Sequence, residues 1–101
     1  MAWRVRSGAL RAGDDGAGEV LAVAARIVSV LRRTPDGARL DWEMAVPVGL
    51  AAALDPADLA EAVGALAENA ARHAASSVRI AACAEGCTLR LTVSDDGPGI
   101  P

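Results

Sequence analysis

The chain has 101 residues, 52% of them hydrophobic, and a formal net charge of −3 at pH 7. This length allows at most one small domain, and the acidic balance argues against a nucleic-acid partner bound by neutralising its phosphates. No apolar run approaches the roughly 20 residues needed to span a bilayer, and the N-terminus lacks the long apolar region of a signal peptide. We therefore expect a soluble, cytoplasmic domain.

The first third of the chain predicts a linker followed by a helix. Residues 1–18 are basic and then rich in Gly and Asp, which is typical of an entry segment. Residues 19–33 have helical spacing, and Thr34-Pro35-Asp36-Gly37 ends that helix with a turn. The predicted apolar stripe of the helix consists of Val20, Ala24, Ile27, Val28 and Leu31.

A strand and a well-marked helix come next. Residues 38–46 alternate apolar and polar side chains as far as Pro47, which predicts a half-buried strand. The helix 55–75 begins with Asp55 as N-cap and Pro56 at the first helical position. Its predicted buried stripe is Leu59, Val63, Leu66 and Ala70, and Glu68 is placed to pair with Arg72 one turn later.

The last elements form a hairpin. Residues 78–82 and 89–93 alternate in polarity on either side of Glu85-Gly86. Cys83 and Cys87 flank this turn, and we interpret them as free thiols, because two cysteines make neither a disulfide framework nor a zinc site. The order helix, strand, helix, strand, strand predicts an α+β fold. It is a two-layer α/β sandwich with helices on one face of a largely antiparallel sheet.

Two features carry possible chemistry. Asn69 lies on the border of the apolar stripe, where its amide oxygen, a hard ligand suited to Mg²⁺, can reach a bound molecule. Asp95-Asp96-Gly97-Pro98-Gly99 follows the last strand, and its glycines let a ligand approach the main chain closely. The pattern alone is weak, because Asp14-Asp15-Gly16-Ala17-Gly18 repeats it without a preceding strand, where we interpret it as a linker. The second copy gains weight from its context, since it follows the hairpin and the helix that carries Asn69.

Together these residues resemble the ATP-binding domain of sensor histidine kinases, within the ATPase superfamily that also contains DNA gyrase and MutL. The resemblance rests on Leu66-Ala67-Glu68-Asn69-Ala70-Ala71-Arg72-His73-Ala74 and on Val93-Ser94-Asp95-Asp96-Gly97-Pro98-Gly99-Ile100-Pro101. Arg4-Val5-Arg6-Ser7-Gly8 resembles the end of the dimerisation helix. Residues 1–18 would then be a linker or that helix end. Residues 19–101 would be the N-terminal two-thirds of the ATP-binding domain, with an incomplete Bergerat-type fold.

The resemblance implies ATP and Mg²⁺ as cofactors and a role for each matched residue. Asn69 would coordinate the Mg²⁺ that bridges the phosphates, and Asp95 would accept a hydrogen bond from the adenine amino group. Gly97 and Gly99 would let the chain bend around the base and the ribose. Arg72 would lie near the phosphates and His73 beside the nucleotide. His73 is not expected to be the phosphoacceptor, because that residue of the family lies on a separate dimerisation helix.

The resemblance also implies a reaction, partners and a location. The parent protein would move the ATP γ-phosphoryl group to a histidine on the dimerisation helix, from which a response regulator takes it. Such a parent could be anchored in the inner membrane. Two departures indicate that this chain alone is inactive. Ala65 stands where the family usually has Asn, Glu or His, and the lid, the second glycine-rich segment and the closing strands would follow Pro101. We therefore expect the strand 87–94 to be an exposed sheet edge.

Two alternatives remain open on the sequence. The same fold could belong to a serine kinase of the anti-sigma-factor type. The chain could also be a degenerate interaction module that has lost nucleotide binding, which Ala65 favours. A phosphoacceptor helix in the genomic neighbourhood would support the histidine kinase, and a sigma-factor locus would support the serine kinase. Failure to bind ATP with the C-terminal third restored would support the interaction module.

Overall fold

In the computed structural model, the described residues are 4–11, 13, 18–53 and 55–97. They form three helices and six strands. In chain order the elements are β1 (Arg4–Arg11), β2 (Gly18–Glu19), α1 (Val20–Leu31), α2 (Pro35–Ala38), β3 (Asp41–Ala45), β4 (Ala51–Ala52), α3 (Pro56–His73), β5 (Ser77–Glu85) and β6 (Thr88–Asp95). The main sheet has the strand order β1-β6-β5-β3, and β2 pairs with β4 in a separate ribbon.

The main sheet is mixed. β5 and β6 form an antiparallel hairpin that turns at Gly86, whose φ of +63° favours glycine. β3 and β5 are parallel, because the long helix α3 lies between them in sequence and returns the chain to the same end of the sheet. The predicted α+β sandwich is confirmed to this extent: it is a small α+β domain with helices packed against a mixed sheet.

One face of the β5–β6 hairpin forms the floor of the core. Val78, Ile80 and Ala82 of β5 are buried, as are Leu89, Leu91 and Val93 of β6. They alternate with more exposed residues, as a strand with one covered face requires. The register places Ile80 opposite Val93 and Ala82 opposite Leu91, so the two apolar rows lie side by side beneath α3.

The helices begin and end close to the predicted positions. The Asp55 side chain caps α3 by accepting a hydrogen bond from the Ala57 N–H at 2.8 Å, and Pro56 opens the first turn. Leu59 and Val63 are fully buried, whereas Leu66 is half-buried. The predicted turn at 34–37 contains the one-turn helix α2, which Thr34 caps by accepting from the Gly37 N–H.

The structure differs from the sequence expectation in its N-terminal segment. Residues 4–11 form strand β1, where a linker or the end of a helix was expected, and β1 pairs antiparallel with β6 along its whole length. The backbone groups of β6 therefore have partners on both sides, and the predicted exposed edge at 87–94 is wrong. The division of the chain at residue 18 remains a prediction, and residues 14–17 lie outside the described part.

The two cysteines do not face each other across the hairpin. Cys83 is opposite Arg90 in the β5–β6 register, and Cys87 lies in the turn. Both are free and exposed, as the sequence indicated. Among the described residues, none of the helices combines the length and the apolar character that crossing a membrane requires.

The contact between α1 and α3 generates a test of this packing. A Cβ added to Gly64 in α3 would lie 3.5 Å from Ile27 Cδ1 of α1, which is ordinary van der Waals contact. We expect Gly64→Ala to raise the free energy of unfolding by about 0.5–1 kcal/mol, because alanine loses less backbone entropy in a helix. Urea denaturation measures the change, with the exposed Ala62→Gly as the reverse control. A loss of stability in Gly64→Ala would contradict the described helix spacing.

Candidate functional site

The candidate site lies where β6 ends beneath the C-terminal end of α3. Asp95 continues the buried row of β6, with Val78 of β5 as its partner in the register. Its side chain therefore lies on the helix-facing side of the sheet and is only 4% exposed. Strand alternation explains this orientation, because Leu89, Leu91 and Val93 face inward and Asp95 is two residues further on.

The Asp95 carboxylate is held by the turn that follows it. Its Oδ1 atom accepts a hydrogen bond from the Gly97 N–H at 2.8 Å. Within the described residues this N–H is the one hydrogen-bond donor to Asp95, so the second carboxylate oxygen has no protein donor there. This oxygen is not a buried atom without a partner, since the described residues contain no such side-chain atom. Asp95 is therefore suited to a ligand that brings a donor of its own.

Gly97 approaches the end of α3 too closely for any side chain. A Cβ at this position would lie 2.4 Å from the His73 carbonyl oxygen and 2.7 Å from Asp95 Oδ1. The close approach explains why glycine is needed here, independently of its backbone angles. It also brings Asp95, Gly97 and the backbone of His73 into one group.

Asp96 is directed to the other side of the turn, where its carboxylate binds the segment between α3 and β5. Oδ1 accepts from the N–H groups of Ala75, Ser76 and Ser77 at 3.1, 2.9 and 2.9 Å. Oδ2 accepts from the Ser76 hydroxyl. Four donors thus surround one carboxylate that is 7% exposed.

These hydrogen bonds keep Asp96 ionised. The Ser76 hydroxyl and the backbone N–H groups of Ser76 and Ser77 lower the pKa of Asp96 far below its ordinary value, although burial acts in the opposite direction. Hydrogen bonds to an ionised acceptor are stronger than those to a neutral one. The Asp96 carboxylate is therefore a fixed negative charge that organises the end of α3.

The remaining predicted residues lie along the last two turns of α3. Asn69 is half-buried at the border of the apolar stripe. Arg72 is exposed and makes the predicted ion pair with Glu68, at 3.9 Å between Arg72 Nη2 and Glu68 Oε1. His73 is the last residue of the helix, and its side chain is exposed. Asn69 thus precedes by one turn the point at which Gly97 contacts the helix.

The structure therefore brings Asp95 and Gly97 to the end of the helix that carries Asn69, Arg72 and His73. Gly99 lies outside the described residues. Two contributors were missed. The sequence analysis treated Asp96 only as part of the glycine pattern. The two consecutive aspartates after a buried strand are a signal that could have identified it. Arg39 donates to the carbonyls of Ala74 and Ala75, at 2.8 Å each, and nothing in the sequence links it to them.

The described structure has two further clefts, but neither contains the residues predicted to bind a nucleotide. A cleft of about 390 Å³ lies between α1 and the start of α3, and one of about 380 Å³ lies between α1 and β3. Neither is lined by Asn69, Asp95 or Gly97. Within the described residues, no three His, Cys, Asp or Glu side chains are grouped so that they could hold a metal ion. A cation here would need oxygen atoms from its ligand in addition to an amide such as that of Asn69.

Comparisons with known proteins show which family the second half of the chain resembles. Residues 54–101 match the family described as histidine kinase-, DNA gyrase B-, and HSP90-like ATPase. This segment contains α3, the hairpin and the glycine-rich end of the chain. The matched family is that of the HATPase_c domain, and members of this family bind ATP.

A curated relative points in the same direction. The chain is 41% identical over 64 residues to the sensor protein kinase CarS of Pseudomonas aeruginosa. The match covers 63% of this chain and 14% of CarS, so the chain corresponds to a small part of that protein. The chain is therefore similar, over part of its length, to a sensor protein kinase.

The close approach at Gly97 generates the first prediction for the site. Gly97→Ala forces the new methyl group against the His73 carbonyl oxygen, and we expect it to lower the free energy of unfolding by roughly 1–3 kcal/mol. Gly64→Ala is the matched control, because its methyl group meets open helix surface and one side chain at ordinary distance. Urea denaturation compares the two. Equal stability of both variants would show that the turn does not contact α3 as described.

The ionised state of Asp96 generates a second prediction. Its pKa is lower in the folded chain than in the unfolded chain, where about 3.9 is usual, so its contribution to stability is fully present above that value. We expect Asp96→Asn to cost roughly 2–3 kcal/mol at pH 7. The difference from wild type should narrow by about 1.4 kcal/mol per pH unit below pH 4, as the unfolded wild-type chain takes up a proton.

Urea denaturation between pH 3 and pH 7 measures this difference. Asp36→Asn is the control, since Asp36 is exposed and its substitution should change stability by less than about 0.5 kcal/mol. A stability difference between wild type and Asp96→Asn that stays constant from pH 7 to pH 3 would contradict the lowered pKa.

Proposed function

We propose that this chain is part of the ATP-binding catalytic domain of a two-component sensor histidine kinase, because residues 54–101 match the histidine kinase-, DNA gyrase B-, and HSP90-like ATPase family. The parent reaction moves the γ-phosphoryl group of Mg-ATP to a histidine on a dimerisation helix, from which a response regulator receives it. The partial match to CarS, a sensor protein kinase, supports the kinase among the members of the family.

The observation that carries the proposal is the buried carboxylate of Asp95. One of its oxygens is held by the Gly97 N–H, and the other has no donor within the described residues. An exocyclic amino group, such as that of adenine, supplies the missing donor. A buried acceptor discriminates strongly against a base without that donor, because the carboxylate would then remain buried and unpaired.

The glycine turn and the end of α3 form the surroundings of the base in this proposal. Gly97 leaves no side chain between the turn and the His73 carbonyl, so a planar base can approach the main chain. Gly99, which lies outside the described residues, is proposed to let the chain bend around the ribose. His73 lies at the edge of the nucleotide, and Arg72 exchanges its exposed partner Glu68 for a phosphate oxygen. An ion pair with 61% and 65% exposed side chains contributes little stability, so the exchange costs little.

Asn69 is the proposed Mg²⁺ ligand. Its amide oxygen is a hard donor, and Mg²⁺ in nucleotide sites commonly keeps several waters and takes the rest of its ligands from phosphates. A single protein amide therefore fits a cation that arrives with ATP. When bound, the cation neutralises phosphate charge; Asn69 orients it, and Asp95 fixes the base at the opposite end of the nucleotide.

In this proposal, the chain binds the nucleotide, and the phosphoryl transfer requires the parent protein. Ala65, one turn before Asn69, offers no polar side chain to the phosphates. The described residues provide few groups that could bind a triphosphate. We therefore propose that the chain alone does not catalyse transfer. Its partners in the parent protein are the dimerisation helices with the phosphoacceptor histidine, and the response regulator is the further partner; all of these act on the cytoplasmic side.

Titration calorimetry with Mg-ATP tests the proposal. We expect Asp95→Asn to weaken binding by roughly tenfold or more. The Asn side chain has one acceptor oxygen, so it loses either the hydrogen bond from the Gly97 N–H or the one from the amino group of the base. Asn69→Ala should weaken binding of Mg-ATP but leave the weaker binding of ATP in EDTA unchanged, because Asn69 acts through the cation.

The controls are Asp36→Asn and Glu61→Ala, exposed positions whose substitution should not change affinity. Circular dichroism confirms that each variant is folded. A folded wild-type chain that binds no Mg-ATP, with and without the C-terminal third of the domain restored, would contradict the proposal. That result would favour an interaction module that has lost nucleotide binding.

A further inference from the structure

The turn between α3 and β5 has a charged group on each side. The guanidinium of Arg39 donates from Nη2 to the Ala74 carbonyl and from Nη1 to the Ala75 carbonyl, at 2.8 Å each. The Asp96 carboxylate accepts from the N–H groups of Ala75 and Ser76 on the other side. These four backbone groups belong to two consecutive peptide units, 74–75 and 75–76.

Each of these peptide units therefore lies between a positive and a negative charge. The C=O end of the dipole is directed to Arg39 and the N–H end to Asp96, which is the favourable orientation for both charges. Hydrogen bonds in such a chain polarise and strengthen one another. Arg39 and Asp96 thus interact through the backbone of the turn.

The rest of the turn is equally well satisfied. The Ser76 carbonyl accepts from the Asp41 N–H at 2.8 Å, and the Ser77 carbonyl accepts from the Asp96 N–H at 3.3 Å. The Ser77 N–H donates to Asp96. Every backbone donor and acceptor from the Ala74 carbonyl to the Ser77 carbonyl has a partner, so the turn has one well-defined position relative to β3 and β6.

Arg39 is itself held in place by neighbouring structure. It follows α2 directly, and α2 is fixed at its start by Thr34, which donates to the Leu31 carbonyl and accepts from the Gly37 N–H. The Trp42 indole N–H donates to the Gly37 carbonyl at 3.0 Å. Arg39 therefore extends from a fixed point, and the forked guanidinium reaches two adjacent carbonyls at once.

We infer that Arg39 is a positioning residue for the nucleotide site: with Asp96 it holds the end of α3 in the place where the Asp95–Gly97 turn can present its carboxylate to the base. The inference rests on the proposed function. The link is direct, because Asp96 lies between Asp95 and Gly97, and Gly97 packs against the His73 carbonyl at the end of the same helix.

Arg39→Gln tests the inference, and Arg79→Gln is the matched control. Both arginines are exposed, and both substitutions remove one positive charge. Within the described part of the chain, the one side-chain partner of Arg79 is Glu43, in an ion pair at 3.9 Å. In nucleotide-free protein, we expect hydrogen exchange of the Gly97 amide to accelerate roughly fivefold to tenfold in Arg39→Gln and to remain unchanged in Arg79→Gln. Arg39→Lys should be intermediate, because one ammonium group cannot donate to both carbonyls in the same geometry.

The second readout is the ratio of the affinities for Mg-ATP and Mg-GTP. Guanine carries a carbonyl where adenine carries the amino group, so a displaced Asp95 should lose part of the preference for ATP. We expect Arg39→Gln to reduce this ratio roughly fivefold. A merely structural role would lower both affinities together and leave the ratio unchanged.

The two readouts separate the inference from the function on which it rests. If the wild-type chain binds no nucleotide, the proposed function fails, and the exchange of the Gly97 amide alone decides whether Arg39 holds the turn. If the wild-type chain prefers ATP but Arg39→Gln changes neither the exchange nor the ratio relative to Arg79→Gln, the inference is wrong.

Discussion

The Asp96 carboxylate is the contact on which the geometry of the candidate site depends. It joins the end of β6 to the turn after α3 through three backbone N–H groups and a serine hydroxyl. These three N–H groups belong to the residues that directly follow Ala74, the C-cap of α3. Because one ionised side chain binds all of them, the helix end cannot move away from β6 without losing these hydrogen bonds together. The positions of Asn69, Arg72 and His73 relative to Asp95 follow from this constraint.

The adjacent residues Asp95 and Asp96 differ in their surroundings. Strand alternation places Asp95 on the helix-facing side and Asp96 towards the α3–β5 turn. Within the described residues, the Asp96 carboxylate accepts from four donors, whereas the Asp95 carboxylate accepts from one, the Gly97 N–H. A carboxylate with a full set of donors contributes to stability, and one with an open oxygen is available to a ligand. The same type of side chain therefore stabilises the fold at position 96 and, in the proposed function, recognises the ligand at position 95, because the two environments differ.

The sequence was sufficient to predict those elements whose structure depends on neighbouring residues. The N-cap Asp55, the following Pro56 and the apolar spacing of α3 define that helix from neighbouring residues alone. The inward face of β6, with Leu89, Leu91 and Val93, followed from alternation, whereas the burial of Asp95 was not predicted. Strand β1 could not be predicted in this way, because its reason for being extended is the unpaired edge of β6, roughly 80 positions away in the sequence. Arg39 was missed for the same reason, since its acceptors lie 35 and 36 residues further along the chain.

The distribution of stability follows from the same contacts. The apolar core is built largely from Ala, Val and Leu side chains, and small side chains bury little area each. In a domain of this size a few hydrogen bonds to buried charges are then a large share of the net stability. Those bonds lie at the end of α3, where the predicted ligand-binding residues also lie. Substitutions at Asp96 or Gly97 therefore act on folding and on the site together, whereas Asp95, with its single internal donor, is the position at which a change in recognition is most nearly separable from a change in fold.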